Sequence, residues 1–301
     1  MEKIVLWGCG FIGRTAYEEL KKSFDIVAFG DNDVFKQNLI YKKIPIISFV
    51  ELKSTYKDCK VVITIADYYE EAKKIDANNI QILGYYDLIQ KKILPWRRIS
   101  WEDIKNRKNI RLYAGDIYEN FDKYPDDSVI CLSLMNSNYR SIRHDITEKY
   151  PLASDSIESY QIEDVLEHIE KDNAIRILDE IYRILKKEGY LRLSLPDYHS
   201  PFVLSNTYVD HMGKVIFDPL GGGEFIRGKV KKGGHMWFPT YELISEILEK
   251  SKFRNYMFLR YYDNGGIVHR REIDYTKGYI SRTKENYSGN EDISIVIDCY
   301  K

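Results

Sequence analysis

Apolar runs closed by glycine alternate with amphipathic stretches over residues 1–95. Residues 3–7 form an apolar run stopped by Gly8, and residues 13–23 set Ala16 and Leu20 on one face with Ile12, at helical spacing. Residues 25–29, which lead into Gly30-Asp31, read as a second strand, and residues 60–65 and 80–83 as two more, with a helical pattern at 68–75 between the last two. Repeated strand–helix units predict a parallel sheet with helices on its faces.

The pattern breaks over KKILPWRRISWEDIKNRK, where Trp96 and Trp101 stand among charges; residues 96–108 are predicted to be a linker whose tryptophans pack the seam between domains. A second series starts at Ile110. Strands are predicted at 111–114, 128–134 and 141–146, then at 159–162 leading into a helix. Residues 173–187 have the clearest helical pattern, with Ile175, Leu178, Ile181 and Leu185 on one stripe, Lys186 and Lys187 in the last turn and Gly189 as the stop. The alternation Leu191, Leu193, Leu195 marks a strand up to Pro196, and residues 256–262 and 293–300 read as an antiparallel pair joined by a polar segment. The fold class is therefore α/β: two Rossmann-like parallel-sheet domains, 1–95 and 109–301, the second with an antiparallel edge hairpin. The stretch 218–234, DPLGGGEFIRGKVKKGG, is predicted to be a mobile loop over a site.

Composition narrows the function. At 301 residues the chain can hold two cores, and 44% hydrophobic with 30% charged residues is ordinary for a globular protein. A net charge of -1 argues against nucleic acid as partner. Cys9, Cys59, Cys131 and Cys299 stand singly, without metal-ligand spacing, so no metal site and no disulfide framework is predicted. The opening apolar run is too short for a signal-peptide core, and no run reaches the roughly 18 apolar residues of a membrane span. A cytoplasmic protein is expected.

Gly8-Cys9-Gly10-Phe11-Ile12-Gly13 is a GxGxxG between a strand and a helix, with Asp31 at the end of the next strand. Such glycines allow a tight turn and close backbone approach, the helix N-terminus faces a phosphate, and the carboxylate can hold ribose hydroxyls. Together with GDND at 30–33 and KKIPIIS at 42–48, this stretch resembles the small Rossmann-like unit that fronts sugar acetyltransferases and some surface-polysaccharide methyltransferases. That resemblance implies a nucleotide or nucleotide-sugar ligand bound by Gly8, Gly10, Gly13 and Asp31, or an oligomerisation module giving a homodimer. A dehydrogenase would need a catalytic YxxxK. The matches at Tyr17–Lys21 and Tyr69–Lys73 fall on early helices, far from where a reductase places that pair.

HDITEKYPL at 144–152, EDVLEHI at 163–169, EIYRILKKEGYLRLSLPD at 180–197 and GYISRT with a closing ISIVID resemble the class I S-adenosylmethionine-dependent methyltransferases, in particular small enzymes found among polysaccharide genes. The resemblance covers 110–301 and implies S-adenosylmethionine as cofactor and O-methylation of a sugar or nucleotide-linked sugar. It puts Gly115 and Asp116 under the methionine part, Ser133 near the ribose, Asp145 and Ile146 at the adenine, and Gln161, Ile162 and Glu163 along the other side. Hydroxyl methylation calls for a general base, for which histidine is suited; His235 is the first candidate and His199 the second. Two departures favour an alternative, a non-catalytic binding protein with a degenerate cofactor site: LYAGDI holds a single glycine, and ICLSL offers Ser133 where the family has a carboxylate.

Overall fold

The computed structural model of the chain describes residues 1–115, 117, 123–124, 128–134, 138–283, 285–286 and 292–301. It divides into two compact units, Met1–Arg98 and Ile99–Lys301. No helix among the described residues is long and apolar enough to cross a membrane.

In the first unit, strands β1 (Glu2–Trp7), β2 (Phe24–Gly30), β3 (Ile40–Tyr41), β4 (Ile44–Ile47), β5 (Lys60–Ile63), β6 (Ile82–Asp87) and β7 (Lys92–Leu94) form one sheet in the order β3-β4-β2-β1-β5-β6-β7. The inner five are parallel, which explains why Ile4, Val5, Leu6 and Trp7 are all buried: helices cover both faces. The helices are α1 (Phe11–Leu20), α2 (Phe49–Ser54) and α3 (Tyr68–Asp76). Helix α2 starts on a reciprocal cap between Ser48 and Glu51. Strand order reverses between β1 and β5, which opens a crevice at their carboxyl ends.

The second unit has α4 (Trp101–Ile104), β8 (Arg111–Ala114), β9 (Val129–Ser133), β10 (Ser141–Arg143), β11 (Ile157–Glu163), α5 (Ala174–Ile184), β12 (Leu185–Pro196) and α6 (Pro201–Ser205). Two small hairpins follow, β13 (Tyr208–Val209) with β14 (Val215–Phe217) and β15 (Glu224–Ile226) with β16 (Lys229–Lys231). The chain ends with α7 (Tyr241–Lys250), β17 (Asn255–Tyr262), β18 (Val268–Arg270) and β19 (Ser294–Tyr300). The main sheet runs β10-β9-β8-β11-β12-β19-β17-β18; its first five strands are parallel, and β19 enters antiparallel between β12 and β17. Here the order reverses between β8 and β11.

Several elements differ from expectation. Helix α5 stops at Ile184 because Leu185 already pairs with Ile157, so Lys186 and Lys187 lie in a bulged strand rather than in a last helical turn. Its buried stripe is Ile177, Leu178, Ile181 and Ile184, with Ile175 half-buried beside it. The helix expected after β11 is only a 3-10 turn, Leu166–His168. The stretch 218–234 carries a 3-10 turn, Pro219–Gly221, and the hairpin β15–β16 instead of an irregular loop. Trp96 packs on Tyr69 in the first unit, and Trp101 on His144 and Tyr150 in the second. Trp101 packs against the core of the second unit.

Two buried charges hold the C-terminal half of the sheet. Arg192 on β12 is 0% exposed and meets Asp298 on β19 through Nε–Oδ1 at 2.8 Å and Nη2–Oδ2 at 2.9 Å, while its Nη1 donates to the carbonyls of Asp274 and Gly278. Asp197, just past β12 and also 0% exposed, accepts the backbone N–H of His199 at 2.9 Å and of Tyr262 at 2.7 Å. Burial pushes its carboxyl up to about 6, against the pull of those two hydrogen bonds.

Asp298→Ala would strand a buried guanidinium and should cost about 3–5 kcal/mol in urea unfolding. A loss under about 1 kcal/mol would mean that the pair is not a support of the sheet. Because the Asp197 carboxyl is raised, the folded chain holds that proton more tightly than the unfolded one; the stability it gives is complete below the ordinary carboxyl range and is lost as pH rises through about 6. Between about pH 5 and pH 7.5 this one group should lower the unfolding free energy by roughly 1 kcal/mol, and Asp197→Asn should lack that part of the slope.

Candidate functional site

In the first unit the GxGxxG wraps the crevice between β1 and β5. A Cβ on Gly13 would stand 1.8 Å from the Gly8 carbonyl oxygen, so the third glycine is required for α1 to lie against the end of β1. Gly8, Gly10, Phe11, Ile12, Asp31, Asn32 and Lys36 help to line a cavity of about 380 Å³. Asp31 is already engaged: Oδ2 accepts the Cys9 N–H and the Lys36 ammonium, and Oδ1 accepts the Asp33 N–H, each at 3.0 Å. Burial opposes ionisation, yet these bonds keep the carboxyl below its ordinary value. The two YxxxK pairs sit on α1 and α3 with the lysine over its own tyrosine ring, at 5.4 Å in each case.

In the second unit the crevice lies between the carboxyl ends of β8 and β11. Gly115 follows β8 with φ +113, a conformation that side chains rarely adopt, and the nearest described atoms to an added Cβ would be the Tyr113 ring at 3.3 Å and Val165 at 3.9 Å. Asp116 lies outside the described residues. Across the crevice the buried carboxylate of Glu163 accepts the Ser281 N–H at 2.8 Å, its hydroxyl at 2.7 Å and the Tyr113 hydroxyl at 3.2 Å. Burial, then the neighbouring Asp164, push the Glu163 carboxyl upward despite those bonds. Asp164 pairs with Arg282 through Oδ2 at 3.0 Å, while its Oδ1 is buried with no hydrogen-bond partner.

The other expected cofactor residues divide. Ser133 ends β9 at the crevice side. Asp145 stands in the turn after β10, where Oδ1 accepts the Thr147 N–H at 2.9 Å and its hydroxyl at 2.8 Å. Gln161 points onto the segment 278–281, its amide donating to the Tyr279 carbonyl at 2.6 Å and its oxygen accepting the Tyr124 hydroxyl at 3.3 Å. Ile146 and Ile162 are core residues. Asp164 thus keeps an oxygen without a hydrogen-bond partner at the tip of β11, the strand paired with the one that Gly115 follows.

Beyond β12 lies a larger cavity, of about 840 Å³, lined among others by Lys171, Tyr198, His199, Asp210, Trp237 and Thr240. His199 lies on its wall, with Nδ1 3.5 Å from Glu242 Oε2. His235 is 4% exposed, and its Nδ1 bonds the Tyr198 hydroxyl, which in turn donates to Asp218 at 2.6 Å. Burial, with His168 beside it, depresses His235 to about 4, so its ring is neutral at pH 7. Sequence reasoning missed Tyr198, Asp218, Ser281 and Arg282 as members of these sites. The available signal was polar residues within apolar stretches, as in LSLPDYH.

Comparison with known proteins gives a local answer. Residues 100–193 match the family model described as a methyltransferase domain, a span that runs from α4 into β12. No curated protein sequence matches the chain. Among solved structures, a SAM-dependent methyltransferase from Archaeoglobus fulgidus is similar at 17% identity, covering 66% of this chain and 88% of its own, with a TM-score of 0.39. Another from Thermotoga maritima gives 17% identity, 64% and 82% coverage and a TM-score of 0.37. UDP-D-quinovosamine 4-dehydrogenase from Vibrio fischeri gives 18% identity over 34% of this chain and 96% of its own, with a TM-score of 0.28. The match to the methyltransferase-domain model lies within the second unit and ends in the strand whose tip adjoins the larger cavity.

Proposed function

We propose that this chain is a SAM-dependent O-methyltransferase whose acceptor is a sugar or nucleotide-linked sugar of surface-polysaccharide biosynthesis. The observation that carries the reading is that the methyltransferase-domain match, 100–193, falls on β8 to β11, the strands that bound the crevice at Gly115, Glu163 and Asp164. S-adenosylmethionine supplies a methyl group on positively charged sulfur, which needs alignment more than covalent help. Gly115 would hold its amino-acid end, Ser133 and Asp145 its nucleoside, and the carboxylates of Glu163 and Asp164 would balance its charge.

The cavity beyond β12 takes the acceptor. Its wall of Tyr198, Trp237 and Phe238 offers aromatic faces for a sugar ring, while Asp210 and Thr240 offer hydrogen-bond partners for its hydroxyls. His199 removes the acceptor proton through an imidazole nitrogen as the oxygen attacks. His235 is the weaker base, being depressed to about 4 and bonded through Nδ1. In the first unit the cavity at Gly8, Gly10 and Asp31 takes a nucleotide or nucleotide-sugar, with phosphate toward the start of α1. A second reading, a binding protein without turnover, is favoured by Ser133 at the tip of β9, where a carboxylate would grip a ribose more strongly.

S-adenosylhomocysteine at about a hundred times its dissociation constant should stabilise the full chain by about 2.7 kcal/mol, and Gly115→Val should abolish the shift. A UDP-sugar should give a separate stabilisation that Gly115→Val leaves intact. If the homocysteine compound produces no shift, the methyltransferase reading fails. With a methyl acceptor in hand, His199→Gln should lower kcat by about 10²–10⁴-fold without weakening S-adenosylhomocysteine, a split that a purely structural histidine would not give.

A further inference from the structure

The turn after β11 and the segment after β16 are fastened together by their backbones. Met236 N–H donates to the Glu167 carbonyl at 2.7 Å, and the Trp237 indole N–H is shared by the Leu166 and Ile169 carbonyls at 3.0 Å. This seam brings Glu167, His168 and His235 together, with one ligand-capable atom from each lying within 4.8 Å of the others. Glu167 is 0% exposed, and neither of its carboxylate oxygens has a hydrogen-bond partner. Its Oε1 lies 3.7 Å from His235 Nε2 and 4.0 Å from His168 Nε2.

Both imidazoles are oriented from behind. His168 Nδ1 lies 2.7 Å from the Gly233 carbonyl oxygen, which can only accept, so Nδ1 carries the proton and Nε2 keeps its lone pair. The same holds for His235: the Tyr198 hydroxyl gives its proton to Asp218, its oxygen accepts from His235 Nδ1–H, and His235 Nε2 is left as an acceptor facing Glu167. Two bare imidazole nitrogens aimed at a buried carboxylate make no favourable contact with one another. They are the arrangement a cation would satisfy, with the hydrogen-bonded far nitrogens that metal-bound histidines normally have. Gly221 makes room for the His235 ring in this position, since a Cβ there would stand 2.5 Å from His235 Nδ1.

We propose that Glu167, His168 and His235 bind one divalent first-row transition-metal ion. Two imidazoles and a carboxylate suit zinc, cobalt, iron or manganese and not calcium or magnesium, which take oxygen ligands. Three protein ligands leave at least one coordination position open. The cysteine spacing that predicted no metal site could not report this one, because its ligands come from EDVLEHI and GGHMWF, brought together only by the fold. The proposal is independent of what the chain methylates, since it is read by binding alone.

The test is a titration of chelator-stripped full-length protein with Co²⁺, followed by visible absorption. One Co²⁺ per chain should bind with d–d bands, without thiolate charge-transfer bands, and Zn²⁺ should displace it. Glu167→Gln and His168→Gln should each weaken binding by about 100-fold, and Tyr198→Phe, which removes the acceptor behind His235, by about 10-fold. His168 is partly exposed and its replacement keeps the fold testable even if the Glu167 variant is unstable. Absence of a stoichiometric Co²⁺ spectrum in the unsubstituted protein, or a spectrum unchanged by His168→Gln, overturns the proposal.

Discussion

A guanidinium taken out of water must have its donors matched, and Arg192 is matched by three groups at once: both oxygens of Asp298 and the carbonyls of Asp274 and Gly278. The first contact sets β19 beside β12. The others pull the segment that precedes β19 back over the sheet, and from Gly278 the chain passes directly to Tyr279, Ser281 and Arg282, which meet Gln161, Glu163 and Asp164. The lip of the crevice between β8 and β11 is thus a consequence of a charge buried one strand away.

Parallel strands were legible because burial on both sheet faces leaves apolar runs, as in IVLW and VICL. The GxGxxG was legible for a different reason: Gly13 has no room for a side chain. Helix continuation after Glu163 was not legible. EDVLEHI has a helical pattern, but three of the carbonyls that would continue it, those of Leu166, Glu167 and Ile169, are taken by Trp237 and Met236. Tertiary hydrogen bonds outcompete local ones there, and no window of sequence contains both sets of partners. His235 was picked out by its type alone, while the groups that determine its behaviour, Tyr198 and Asp218, come from separate loops.

The same asymmetry separates the two histidines. His235 is embedded, neutral and tied at one nitrogen; His199 borders a cavity and is fixed through its backbone by Asp197. Burial that makes an imidazole a good neutral ligand makes it a poor proton acceptor at neutral pH. Burial of the one ring and the cavity position of the other therefore suit them to different chemistry even though both stood as candidates for the same role.

Adjacent strands in a sheet stand roughly 4.8 Å apart, so groups carried on the tips of β11 and β12 are neighbours whatever their loops do. Glu163 and Asp164 end one strand, and Asp197 and His199 follow the other. On the proposed reading, a methyl donor seated against the first pair and an acceptor beside His199 would lie on adjacent strand tips, as the alignment for a displacement at carbon requires. The buried Arg192–Asp298 pair fixes β12 from its far side, and the Asp197 carboxylate fixes the turn beyond it through Tyr262. On that reading, backbone pairing and buried charge set the spacing of the reactants, and the loops would determine which acceptor enters.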